Sequence, residues 1–145
     1  ESKNLEGSAD RMPPAKYDYR PTPAQMTFGQ LVAHVVQTNV AICSALTDRP
    51  SPLAPEHLGE VDHITDKAAL TPLLRQSFDY CGQALVSLGD AGLGAQAMMF
   101  GRATGMTRAM ALVTIATDWS DHYSTAATYL RLNGILPPSA RPAGQ

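Results

Sequence analysis

The chain has 145 residues, 44% of them hydrophobic, with a formal net charge of -2 and a pI near 6.1. This length suits a single domain over residues 1–145 with a core of ordinary size, and no apolar run approaches the about eighteen residues that a membrane span requires. The charge balance leaves no basic field and the Arg and Lys residues are scattered, so nucleic acid is not an expected partner.

Glu1 to Arg11, ESKNLEGSADR, predicts a helix with Leu5, Ala9 and Met12 on one side. It reads as the tail of a longer helix, no signal peptide is visible at its start, and Pro13 and Pro14 end it. Ala15 to Ala24 is rich in proline and tyrosine without a helical period, which predicts an extended connector whose Tyr17 and Tyr19 pack over the helices. Thr27 is a good N-cap for a second helix that runs to about Thr47, with Phe28, Leu31, Val32, Val35, Ile42 and Leu46 at helical spacing. Asp48 to Ile64 is charged, proline-rich and long for a turn, which predicts a crossover along the molecule.

Thr65 is the expected cap of a third helix reaching about Leu88, with Leu70, Leu74, Phe78, Cys81, Leu85 and Leu88 inward and Gly89 as its stop. Pro72 lies inside that pattern and suggests a later start. Asp90 to Met106 reads as a Gly, Ala and Met loop whose Met98, Met99 and Phe100 fold against the mouth of the bundle. A fourth helix follows from Thr107 to Gly134, and Pro137 and Pro138 forbid its continuation. No strand pattern, internal repeat or low-complexity segment is evident. The expected class is therefore all-α, a four-helix bundle. At roughly 3.3 Å per residue the crossover is long enough to travel back along a helix, so the second and third helices are expected to be parallel.

The seam of the fourth helix is Ala111, Ile115, Asp118, His122, Thr125 and Tyr129, which puts a carboxylate and an imidazole in consecutive inward positions. An i, i+4 pair stacks on one face and lets one helix supply two ligands to a metal ion. His34, beside the apolar stripe of the second helix, is the candidate third ligand. The alternative from the residues alone is a buried hydrogen-bonded cluster of His34, Asp118 and His122. Asp121 points off the seam, and His57 and His63 sit in the charged crossover, where solvated side chains are the ordinary outcome. Trp119 reads as core or interface, with a pocket wall as the alternative. Arg102 and Arg108 read as surface arginines, with an anionic ligand at the bundle mouth as the alternative. Cys43 and Cys81 lack CxxC spacing and are either a disulfide or two buried thiols. Each falls sixteen residues after its proposed cap, so parallel helices would bring them level. A disulfide would favour an exported or periplasmic location, and free thiols a cytoplasmic one. GxSxG, Walker, GxGxxG and HExxH motifs are absent, which leaves those chemistries without support.

The segment MPPAKYDYRPTPAQMTFGQLVAHV, with its YRPTP before the His-bearing helix, and YLRLNGILPPS at the end of the last helix carry a resemblance. Together they resemble the DinB-like (YfiT-like) bacterial four-helix family over nearly the whole chain. The resemblance implies up-down-down-up connections, a homodimer, and a divalent metal held by three histidines. His34 and His122 match two of those positions, and Asp118 stands where the family has the third. Tyr123, Ser124 and Thr125 stand where relatives carry Tyr-Gly-Gln. A carboxylate is also an acceptable ligand, for zinc or nickel first and for manganese or iron after them. The implied activity is metal-dependent chemistry on a thiol or other small molecule, as a transferase, isomerase or hydrolase. The alternative is a non-catalytic binding or stress-response module that has lost its metal.

Overall fold

A computed structural model describes residues 1–47 and 49–140. Asp48, where the crossover is expected to begin, lies outside the described residues. The fold is mostly helical: α1 (Ser2–Arg11), α2 (Phe28–Ser44), α3 (Leu58–Val61), α4 (Lys67–Ser87) and α5 (Arg108–Leu132), with a small antiparallel sheet of β1 (Gln96–Met99) and β2 (Arg102–Thr107). The expected second, third and fourth helices are α2, α4 and α5.

Local chemistry fixes the helix ends. Thr27 and Gln30 form a reciprocal capping box, with Gln30 N donating to Thr27 Oγ1 at 3.1 Å and Thr27 N to Gln30 Oε1 at 2.8 Å. The cap of α4 is Asp66 rather than Thr65, its carboxylate accepting from Ala69 N at 3.0 Å. Pro72 is retained inside α4, whose start is not displaced beyond it. Gly134 closes α5 at φ 71°, with Gly134 N bonded to Arg131 O and Ile135 N to Leu130 O. These two bonds satisfy carbonyls at the helix end in a Schellman arrangement, which requires a left-handed residue and so favours glycine.

The expected loop at Asp90–Met106 is corrected in its second half, which forms the hairpin. Phe100 and Gly101 make its two-residue turn, with φ of 49° and 77°, as a type I′ connection demands. The strands have only four and six residues and draw on Gly, Ala and Met, so they carry no alternating pattern. Ala97 anchors the hairpin by burying fully among Cys43, Ala111 and Ile115.

Side-chain pairings report helix directions. Asn39 meets Ser77 and Cys43 meets Cys81, both across 38 residues, so α2 and α4 run parallel. Phe28, His34 and Asn39 meet Tyr129, His122 and Trp119 in turn, so α2 and α5 run antiparallel. The larger core cluster joins α1, α2, α4 and α5, with Leu5, Ala9, Met12, Phe28, Val36 and Leu130 among its buried members. A smaller one surrounds Cys43, Cys81 and the hairpin, and Trp119 packs against both. Cys43 and Cys81 are fully buried and disulfide-bonded, with Cα atoms 5.2 Å apart. No helix among the described residues is long and apolar enough to cross a membrane.

Candidate functional site

The antiparallel contact of α2 and α5 brings His34 to the i, i+4 pair. The rings of His34 and His122 meet edge to face, with centroids 4.9 Å apart and planes at 87°. His122 Nε2 lies 3.2 Å from Asp118 Oδ1 one turn earlier. That contact is off the line of a hydrogen bond, and His122 Nε2 and Asp118 Oδ2 are buried without hydrogen-bond partners among the described residues. Such orphaned polar atoms are uncommon in native proteins and call for a specific reason.

Electrostatics favour a charged pair. Burial pushes the Asp118 carboxyl up, but polar contact with His122 and its charge, together with Thr38 and His34, outweighs this and holds it below its ordinary value. Contact with Asp118 raises the His122 imidazole above its ordinary value against the opposing effect of burial, with Asp121 adding a smaller push. Asp121 itself is exposed, as its off-seam position predicts.

His34 also opens onto a cavity of about 380 Å³ lined by Met26, Gln30, Asp62 and His63. Asp62 and His63 are exposed, as expected for the crossover, yet their side chains share this cavity with His34. The sequence could not place them there, because the proline-rich, charged stretch from Asp48 to Ile64 has no period to read. His57 is exposed and does not line this cavity. Trp119 does not wall it either. Its ring packs on Phe78, with centroids 5.5 Å apart, and its Nε1 donates to Asn39 Oδ1 at 2.6 Å.

Two imidazoles and a carboxylate are suitable donors for a divalent transition metal, and the orphaned atoms of Asp118 and His122 are available to one. As placed, however, no three His, Cys, Asp or Glu side chains among the described residues form a group that could hold a metal ion. The donor set fits in kind, and its enclosure would need side-chain adjustment.

The sequence matches the family model of the DinB superfamily over residues 2–126. The chain belongs to the DinB superfamily. Among solved structures, a DinB-like protein from Bacillus cereus is similar at a TM-score of 0.70 and 19% identity, with 97% of this chain and 90% of that one covered. A mycothiol-dependent maleylpyruvate isomerase is similar at a TM-score of 0.65 and 16% identity, with 85% of this chain and 55% of that chain covered. A point mutant of such an isomerase gives the same TM-score at 15% identity and the same coverages. The DinB-superfamily chain thus spans about half the length of the isomerase, and these likenesses are of fold. No curated protein matches it.

Proposed function

We propose that this DinB-superfamily protein binds a divalent metal ion through His34, Asp118 and His122 and acts on a small thiol or another small molecule at that centre. The observation that carries the reading is the pair of buried atoms without a hydrogen bond, Asp118 Oδ2 and His122 Nε2, on a helix face that His34 approaches from α2. Zinc and nickel are the first choices for this donor set, manganese and iron the next. When bound there, such an ion lowers the pKa of a coordinated thiol or water and so supplies a nucleophile near neutral pH.

The chain's own residues do the rest. His34 and His122 bind as neutral imidazoles, and Asp118, held ionised, balances the charge. Gln30, Asp62 and His63 line the approach to His34 and orient polar groups of a substrate in the cavity. Neither cysteine acts as a nucleophile, because both are buried in the disulfide. A thiol substrate is favoured because a mycothiol-dependent enzyme shares the fold.

The architecture we infer is a four-helix bundle of α1, α2, α4 and α5 in up-down-down-up order, supported by the pairings of α2 with α4 and α5 and by Arg75 of α4 reaching back to Glu6 and Asp10 of α1. A homodimer through the outer face of α5 is part of this reading. Met110 and Val113 remain 55% and 63% exposed there, whereas the valines of α2 are spent on the core. The disulfide favours an exported, oxidising compartment.

A second reading, a non-catalytic binding module, is favoured by the lack of a ready-formed three-ligand group among the described residues. Elemental analysis of protein purified without chelator or affinity-column metal separates the two. A stoichiometric divalent ion in the parent, lost in a folded His122→Ala variant, is the expected result. Failure of the parent to retain zinc, nickel, manganese or iron, even when each is offered, rejects the metal reading and leaves the binding module.

A further inference from the structure

The hairpin builds a second concavity that makes no use of His34, Asp118 or His122. Pro55 from the crossover and Met99, Phe100, Arg102, Thr104 and Met106 line a cleft of about 780 Å³, within the roughly 300–1,000 Å³ typical of small-molecule sites. Its walls are mainly apolar. Met99 and Met106 offer flexible, polarizable surface that adapts to a ligand's shape.

The polar groups of this lining are not equivalent. The Thr104 hydroxyl is already engaged, donating to Ala97 O at 2.9 Å and accepting from Met106 N at 3.2 Å. Arg102 is exposed and makes no ion pair or side-chain hydrogen bond among the described residues. Its guanidinium is therefore the available polar recognition element, and its planar fork matches a carboxylate.

Phe100 adds a backbone argument. It occupies the first turn position at φ 49°, a left-handed conformation suited to glycine or asparagine and disfavoured for a bulky residue. The turn gains nothing from a phenyl ring, whereas the cleft gains an aromatic wall.

We propose that this cleft binds a small amphipathic carboxylate, its apolar chain against Met99, Phe100 and Met106 and its carboxylate paired with Arg102. Octanoate and octylamine are matched probes, alike in apolar chain and opposite in charge, and neither depends on a metal. With the methionine methyls ¹³C-labelled, octanoate is expected to shift Met99 and Met106 saturably while the fully buried Met12 stays still. Octylamine should leave all three in place. Arg102→Gln should weaken octanoate roughly tenfold or more, as loss of a charge-assisted pair predicts. Phe100→Asn should weaken it too while holding or raising Tm, because it relieves the backbone. Equal shifts with octylamine, unchanged affinity in Arg102→Gln, or no Met99 and Met106 shift at millimolar octanoate would each overturn the assignment.

Discussion

Two polar clusters cross the helix interfaces little more than one turn apart on α2, and they are opposite in kind. At Asn39 the polar atoms are matched: its amide donates to Ser77 Oγ at 2.9 Å and its carbonyl accepts from Trp119 Nε1, joining α4, α2 and α5. Cys81 approaches Asn39 O, and the disulfide lies one turn beyond. At His34 the polar atoms are not matched: His122 Nε2 and Asp118 Oδ2 make no hydrogen bond among the described residues, and what joins the two side chains is the 3.2 Å ion pair of His122 Nε2 with Asp118 Oδ1. A satisfied buried network rigidifies and specifies packing, whereas a half-satisfied one is a liability unless it serves a ligand. The difference separates a cluster whose polar atoms satisfy one another from the one proposed to take a ligand, on the same pair of helices.

The largest effect expected on the structural side comes from the disulfide. Its span of 38 residues gives a stabilisation of roughly 4 kcal/mol in the chain-entropy model. The Cys43→Ala/Cys81→Ala variant should lose most of that in urea unfolding, with a higher m-value because the uncrosslinked unfolded chain exposes more surface. A loss of under about 1 kcal/mol would show that the crosslink does not restrain the unfolded chain as this model supposes.

Next comes a direct contrast of the two clusters. Asn39→Ala strips partners from Trp119 and Ser77 and leaves a void, which should cost about 3 kcal/mol. Replacing the other pair together, Asp118→Leu/His122→Leu, should leave metal-free protein as stable or raise it by about 1 kcal/mol, since a buried ion pair is often no better than packed apolar side chains. The same variant should lose any thermal upshift that added zinc or nickel gives the parent. Equal destabilisation by both changes would erase the distinction between the clusters.

One side of this contrast, the His34, Asp118 and His122 cluster, is legible in the sequence. Thr27 with Gln30, and Gly134 before its prolines, mark helix ends by short-range hydrogen-bond chemistry, which local sequence encodes. The i, i+4 spacing of Asp118 and His122 fixes their common face whatever the tertiary packing. His34 joins them because the long crossover permits α2 and α4 to run parallel, leaving α2 to face α5. Asn39 carries no such mark, since a lone Asn on an apolar stripe does not reveal which helix supplies its partners. The hairpin leaves no sequence signal because its strands are short and without alternation, and its turn carries Phe100 where Asn or Gly would mark it. Asp66 displaced Thr65 as a cap because adjacent residues of both types can serve, and only the chain's entry angle chooses between them.

The smallest expected effect is the pH dependence of the same contrast, measured on metal-free protein. His122 is raised above its ordinary value of 6.5, so its contribution is fully present below that pH and is lost as pH rises through its folded value. Asp118 is lowered from 3.8, so its contribution is present above that pH and disappears as pH falls through its folded value. The pair therefore supports the fold most between the two ordinary values, in mildly acidic solution. The Asp118→Leu/His122→Leu variant has neither titration. Its stability relative to the parent should be least favourable near pH 5.5 and should improve toward pH 8, as the pH climbs above the ordinary imidazole value of 6.5 toward the raised value of His122. Both groups are partly solvated, with side-chain exposures of 21% for Asp118 and 13% for His122, so screening should keep the change to about 1 kcal/mol or less. Unfolding curves for parent and variant at the two pH values provide the measurement. A difference that stays flat, or that moves in the parent's favour at pH 8, would mean that Asp118 and His122 are not a charged pair in the folded, metal-free protein.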